Sequence, residues 1–218
     1  LQPEDLHLAK GGVAHEGEVA SRLGLTGIPS IAETVALATH IELARATGVR
    51  LHVCRISAAE SVAMLRAAKA NGVRVTADVA INHLHLIDLD MGHYDSNFHL
   101  SPPLRTARDR DALRAGVFDG TIDAIVSDHT PRQDDAKQLP FAEAAPGATG
   151  LETLLSLTLR FAEAAKLPLA TALSRITHNA ADAARLPAGR IAVDAAADLC
   201  VFDPGAYRLV NKASLKSA

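Results

Sequence analysis

Residues 49–80 read VRLHVCRISAAESVAMLRAAKANGVRVTADVA, and this stretch decides the fold. Val49 to Arg55 alternates apolar residues in a β-rich run and predicts a strand. Ser57 and Glu60 have capping-box spacing, which opens a helix through Ala70. Gly72 stops that helix, and Val73 to Ala80 predicts a second strand. Strand, helix and strand at this length form a crossover, which makes the two strands parallel and the connection right-handed.

The same alternation continues outward. Thr106 to Val117 predicts a helix, with Asp109 and Arg110 on its polar side, and Thr121 to Ser127 a third strand. The expected sheet has the order Val49–Cys54, Val73–Val79, Thr121–Val126, with Val62, Leu65, Leu113 and Val117 packed beneath its helices. Upstream, Ser30 and Glu33 repeat the capping-box spacing and open a helix to Ala46, with Ile31, Val35, Ala38 and Ile41 as its buried positions; Gly48 ends it. Downstream, helices are expected at Leu151–Lys166, Pro168–Ile176 and Asn179–Leu186, and short β segments at Arg190–Ala192 and Asp198–Phe202. Three strand–helix pairs are too few for a closed barrel of eight. The alternatives are a small open sheet or part of a barrel. The chain starts at Leu1, and its methionines, Met64 and Met91, are both internal, so a processed or cut product is expected.

Composition narrows the function. The 218 residues carry 22 basic and 25 acidic side chains, which gives no broad cationic field for nucleic acid. Aromatic residues are 3% with no Trp, too few for a base-stacking platform. No apolar run reaches the ~18–20 residues of a membrane span. Cys54 and Cys200 form no disulfide framework, which fits a reducing cytoplasm.

Chemistry-bearing residues gather in two loops that follow strands, each of roughly 20 residues and well above the usual length. Such loops, at the carboxyl ends of parallel strands, are where α/β proteins build sites. The first holds His83, His85, His93 and His99; the second begins Asp128-His129. Asp128 directly follows a strand and is placed as a metal ligand or general base, or else as a cap or loop hydrogen-bond acceptor. His83 and His85, if on a strand, share a face and offer two imidazoles to one metal; otherwise they are two loop histidines. His15 and His178 are weaker candidates. The chain has neither a glycine-rich phosphate loop nor a nucleophile elbow.

An ordered series of motifs resembles the dihydroorotase branch of the amidohydrolase superfamily. It runs Gly27-Ile28-Pro29, Leu51–Ser57, Val75–Val79, Pro102-Pro103-Leu104-Arg105 with Asp109-Arg110, Gly120–Asp123, Asp128-His129-Thr130-Pro131, Lys137 with Pro140-Phe141, Pro146–Glu152 and Ala197–Leu199 with Phe202-Asp203-Pro204. The resemblance implies a (β/α)8 barrel of which this chain is about strands five to eight (residues 1–186), followed by part of a small flanking β-domain (187–218). It implies a zinc-dependent hydrolysis of the cyclic amide of dihydroorotate, in pyrimidine biosynthesis, with Asp128 as the strand-eight proton shuttle and metal ligand.

The remaining positions depart from that pattern. Gln2 and Arg55 stand where His ligands are expected. Ser101 replaces the Asn before Pro-Pro-Leu-Arg, and Arg132 replaces a His of the substrate site, whereas the Pro146-Gly147 backbone loop remains. These departures resemble the non-catalytic dihydroorotase-like proteins that accompany aspartate transcarbamoylase as structural partners. The expectation is therefore a degenerate homologue with no zinc of its own, working in the cytoplasm as a homo-oligomer or in complex, with Arg55 or Arg132 paired to Asp128. The alternative is a working cyclic amidohydrolase with a shifted metal set, such as His83, His85 and Asp128. A partner would meet the loops Tyr94–His99 and Arg132–Phe141, which mix aromatic and charged residues.

Overall fold

A computed structural model of the chain describes residues 1–217; residue 218, the last of the expected flanking segment, lies outside them. The order is β1 (Ala14–His15), α1 (Glu18–Leu23), β2 (Gly27–Ile28), α2 (Ser30–Thr47), β3 (Leu51–Val53), α3 (Ala59–Ala70), β4 (Val75–Ala80), α4 (Ala107–Asp119), β5 (Ala124–Val126), α5 (Asp134–Lys137), α6 (Leu154–Ala164), α7 (Leu169–Ile176) and α8 (His178–Ala184). Three 3-10 turns, at Ile81–Leu84, Asp88–Met91 and Ser96–Phe98, organise the loop after β4.

β3, β4 and β5 form one parallel sheet in that order, as the sequence predicts. Leu51 pairs with Val75 and Val53 with Ala77, while Asp78 pairs with Ala124. Because side chains alternate along a strand, Leu51, Val53, Val75, Ala77, Val79 and Ile125 point to one face. There they pack with Leu37 and Ile41 of α2, Val62 and Leu65 of α3, Leu113 and Val117 of α4, and Phe161 of α6. Each such large side chain, fully buried, contributes ~1.5–3 kcal/mol. The opposite face carries His52, Cys54, Thr76 and Asp78, and so faces the inside of a partial barrel. Leu1 runs beside β3, its nitrogen donating to His52 O and its carbonyl accepting from Cys54 N.

Several expectations are corrected. The buried stripe of α2 is Ala32, Glu33, Leu37, Ile41 and Ala44, whereas Ile31 and Val35 are exposed. Neither Ser30–Glu33 nor Ser57–Glu60 forms a capping box; Pro29 and Ala58 stand at the caps without side-chain bonds. The N-terminus of α3 is instead closed by carboxylates from elsewhere. Glu33 accepts from Ser57 N at 3.0 Å and Ala58 N at 3.1 Å, and Asp109 from Ala59 N at 2.9 Å. Asp109 is thus buried rather than on a polar face, and also completes a capping box with Thr106.

Arg190–Ala192 and Asp198–Phe202 form no strands among the described residues, because a lone β segment needs a partner strand. Ile191, Val193, Val201 and Tyr207 there are almost fully exposed. Cys200 lies exposed in that stretch and Cys54 just beyond β3, both as free thiols. Among the described residues no helix is long and apolar enough to cross a membrane.

Candidate functional site at the carboxyl ends of the strands

Three chain segments end at one mouth: Leu1-Gln2, β3 with Arg55, and β5 with Asp128. Arg55 and Asp128 both adopt left-handed backbone, with φ of 54° and 46°. That conformation is uncommon outside glycine and marks a position held by its surroundings. At Arg55 the holder is Asp78, whose Oδ1 accepts from Arg55 N at 2.7 Å. The kink breaks the strand alternation and returns the Arg55 side chain to the mouth.

There the guanidinium gathers the neighbouring positions. Its Nη1 donates to Asp128 Oδ1 at 2.7 Å and to Ser101 O at 3.2 Å, and its Nη2 donates to Gln2 Oε1. The Arg55–Asp128 pair is largely buried, with side chains 30% and 11% exposed. A guanidinium presents donors in a fixed fork and stays charged at any accessible pH, so this cluster is a cation satisfied by one carboxylate, one amide and one carbonyl.

This donor set does not fit a zinc ion. Zinc takes three or four imidazole, thiolate or carboxylate ligands, and the two carboxylates on Arg55 are already engaged, Asp128 by its guanidinium and Asp78 by its backbone nitrogen. A unit charge pair at ~4 Å is worth ~4 kcal/mol at an effective dielectric of 20, so a divalent ion beside Arg55 meets about twice that in repulsion.

The other predicted residues are placed as follows. Ser101 is exposed and contributes its carbonyl rather than its hydroxyl. Arg132 does not reach Asp128; its Nε donates to Pro146 O at 2.8 Å. Gly147 N donates to His99 O, and a Cβ at Gly147 (φ 131°) would lie 2.5 Å from Thr130 O, so only glycine fits. His129 Nδ1 accepts from the backbone nitrogens of Gly150 and Leu151, which locks the loop against α6.

His83 and His85 do not form a metal pair. They lie on and just after a 3-10 turn, where i and i+2 diverge, and bond to Pro103 O and Leu157 O respectively. His93 is exposed, and His99 stacks on Phe141 with ring centroids 4.9 Å apart. His178 is the first residue of α8.

Two polar assemblies were not visible in the sequence. One is centred on Arg105, which donates from Nε to Ser57 Oγ at 2.6 Å and from Nη1 to His15 Nδ1 at 3.1 Å, with Glu33 3.5 Å from Nη2. The other is His52, Cys54 and Asp78 on the inner sheet face. The alternation of His-Val-Cys on one strand and the Asp of Val-Thr-Ala-Asp on the next was the available signal.

Burial holds the His15, His83, His85 and His99 imidazoles below the ordinary histidine pKa, helped at His15 by Arg105. The unfolded chain therefore binds protons near pH ~6.5 that the folded chain refuses. Stability from these groups is present above that pH and is lost as pH falls below it. The urea midpoint is expected to drop between about pH 7.5 and about pH 5.5, and His83→Gln to flatten that slope. An unchanged midpoint would show that these histidines protonate freely in the fold.

The comparisons with known proteins agree with this architecture. Residues 5–217 match the amidohydrolase family. A dihydroorotase-like protein of Pseudomonas aeruginosa is 46% identical over 96% of this chain and 49% of its own length. A dihydroorotase of Anaeromyxobacter sp. (strain K) is 45% identical over 100% of this chain and 51% of its own. The chain thus spans about half the length of these relatives. An L-hydantoinase (dihydropyrimidinase) from Arthrobacter aurescens superposes with a TM-score of 0.75 over 84% of this chain and 42% of that one, at 23% identity, which bears on the fold. The parallel sheet, its helical covering and the match along nearly the whole chain have one reading: this is part of a TIM-type barrel, and the chain belongs to the amidohydrolase family.

Proposed function

We propose that this chain is the barrel part of a dihydroorotase-like protein that has given up metal-dependent hydrolysis for a structural role. The observation that carries this is the Arg55 guanidinium, bonded to Asp128 at 2.7 Å and to Gln2. In the resemblance to dihydroorotases all three are metal-ligand positions, and here they are tied to one another. Cyclic-amide hydrolysis needs an open ligand position and a polarising ion at that mouth. The relatives' names, dihydroorotase-like protein and dihydroorotase, support a place in the chemistry of cyclic amides.

In this reading the protein is a cytoplasmic companion of aspartate transcarbamoylase in pyrimidine biosynthesis. The mouth loops are braced for such a contact: Lys137 Nζ donates to Ser96 O at 2.9 Å, and Ser96 Oγ donates back to Lys137 O.

The test is turnover of dihydroorotate by the full-length protein incubated with zinc, with Asp128→Asn as control. No turnover in either is expected. Hydrolysis that Asp128→Asn abolishes would overturn the proposal and establish an active cyclic amidohydrolase. For the partner, deletion of Gln133–Leu139 is expected to reduce co-purification with aspartate transcarbamoylase at least about tenfold, the effect of ~1.4 kcal/mol at an interface. Undiminished complex would place the contact on another face.

A further inference from the structure

We propose that Arg105 and His15 form an acid-sensitive latch that holds the β1–α1–β2 unit against the barrel. That unit is built apart from the main sheet. Its two strands pair only with each other, in parallel. Its apolar cluster, Ala14, Val19 and Ala20 with Met91 and Phe141 of the mouth loops, is separate from the core beneath β3, β4 and β5. Gly11 precedes the unit in left-handed backbone at φ 74°, and a Cβ there would meet nothing within 4 Å. The chain thus enters the unit on an unpacked glycine, a residue suited to a hinge.

One side chain spans the joint. On the barrel side, Arg105 Nε donates to Ser57 Oγ at 2.6 Å, and Nη2 faces Glu33. Toward the unit, Nη1 donates to His15 Nδ1 at 3.1 Å and to Ile28 O at 3.4 Å. A guanidinium has donors and no acceptor, so His15 Nδ1 must accept. The latched imidazole is therefore neutral, with its hydrogen on Nε2. Protonation sets N–H against N–H and cation against cation, beside an arginine that is 3% exposed and cannot lose its charge. The bond between Arg105 and His15 then breaks.

The groups around His15 set the direction of the response. Burial and the charge of Arg105 hold its pKa below the ordinary value, against the opposing pull of Asp109 in α4, Asp88 in the turn after β4 and Glu16 beside it in sequence. Once the unit swings out, the imidazole recovers an ordinary pKa of ~6.5. The latched state is therefore favoured above that pH and loses ground as pH falls below it. One pH unit below, the released ring is almost fully protonated, which shifts the equilibrium toward release by about tenfold. Release also loosens the mouth loops, because the Tyr94 hydroxyl donates to Leu23 O at 2.6 Å. An effect on a partner rests on the proposed function; the latch itself does not.

Amide hydrogen exchange in the full-length protein tests the latch. Val13 N, bonded to Thr26 O, and Glu16 N, bonded to Ile28 O, report on the unit, and the amides of β3, β4 and β5 report on the barrel. After correction for intrinsic exchange, protection at Val13 and Glu16 is expected to fall about tenfold between about pH 7.5 and about pH 5.5, and further than protection in the sheet. His15→Asn supplies a side-chain oxygen that accepts from Arg105 and takes no proton, so the unit should lose no more protection than the sheet. The proposal is overturned if protection of the unit stays level or falls only in step with the sheet. It is also overturned if His15→Asn protein responds as the unsubstituted protein does. The comparison of unit with sheet needs no variant, so it decides the matter even where His15→Asn does not fold.

Discussion

Glu33→Ala is expected to destabilise the fold by ~3–5 kcal/mol, the cost of stripping one partner from a buried ion pair. Glu33 is 3% exposed and lies in α2, yet its carboxylate does the work of a cap for α3. It accepts from the backbone nitrogens of Ser57 and Ala58 and from the hydroxyls of Ser57 and Ser61, and it faces the buried guanidinium of Arg105. Removing it orphans two N–H groups of a helix start and leaves Arg105, 3% exposed, as a cation without its anion. For a domain of this size the loss corresponds to a fall in Tm of roughly 10 °C. Glu33→Gln keeps one acceptor oxygen and should lose less. Glu60→Ala, which removes only an exposed pairing with Arg108, should change nothing measurable. Equal unfolding midpoints for Glu33→Ala and Glu60→Ala would show that the buried network carries no stability.

That contrast explains what the sequence could and could not tell. Glu33 and Glu60 both sit three residues after a serine, so spacing alone assigns each as a local capping partner. Which one is buried depends on Arg105, more than seventy positions after Glu33. The same carboxylate misleads the reading of α2: apolar periodicity puts Ile31 and Val35 inward, whereas the inward stripe runs through Ala32, Glu33 and Leu37. A charged residue at a core position is invisible to a pattern of apolar residues. The sheet was legible because Leu51, Val53, Val75 and Ile125 announce their face by alternation. His83 and His85 lie in the loop, as one of the two readings has it: β4 ends at Ala80 and the chain turns into a 3-10 helix, whose different side-chain period removes the shared face a strand would have given them. Of the site, the approach of Arg55 to Asp128 followed from charge and strand ends. The His52, Cys54 and Asp78 cluster needed the register of two strands.

The second large effect concerns the mouth. Gln2→His combined with Arg55→His, in a Cys54→Ser background that removes the neighbouring free cysteine as a competing ligand, is expected to raise zinc affinity more than about a hundredfold over the Cys54→Ser parent. In free energy that is ~2.7 kcal/mol. It asks for only part of what the change supplies. The repulsion between a divalent ion and Arg55 is ~8 kcal/mol at ~4 Å and an effective dielectric of 20, and the double replacement also adds two imidazoles beside Asp128. Arg55→His alone should gain less, because Gln2 remains an amide oxygen and a poor zinc ligand. Asp128→Asn in the double variant should reverse the gain, which assigns the ion to the mouth. Dihydroorotate turnover should still be absent, since Ser101 and Arg132 occupy positions where the resemblance to dihydroorotases places Asn and His. Such a result would separate affinity from activity: in the proposed reading the guanidinium keeps the ion out, and Ser101 and Arg132 withhold the substrate contacts. If the double variant binds zinc no better than its parent, the obstacle at this mouth is the backbone held in left-handed geometry at Arg55 and Asp128 rather than the charge of Arg55.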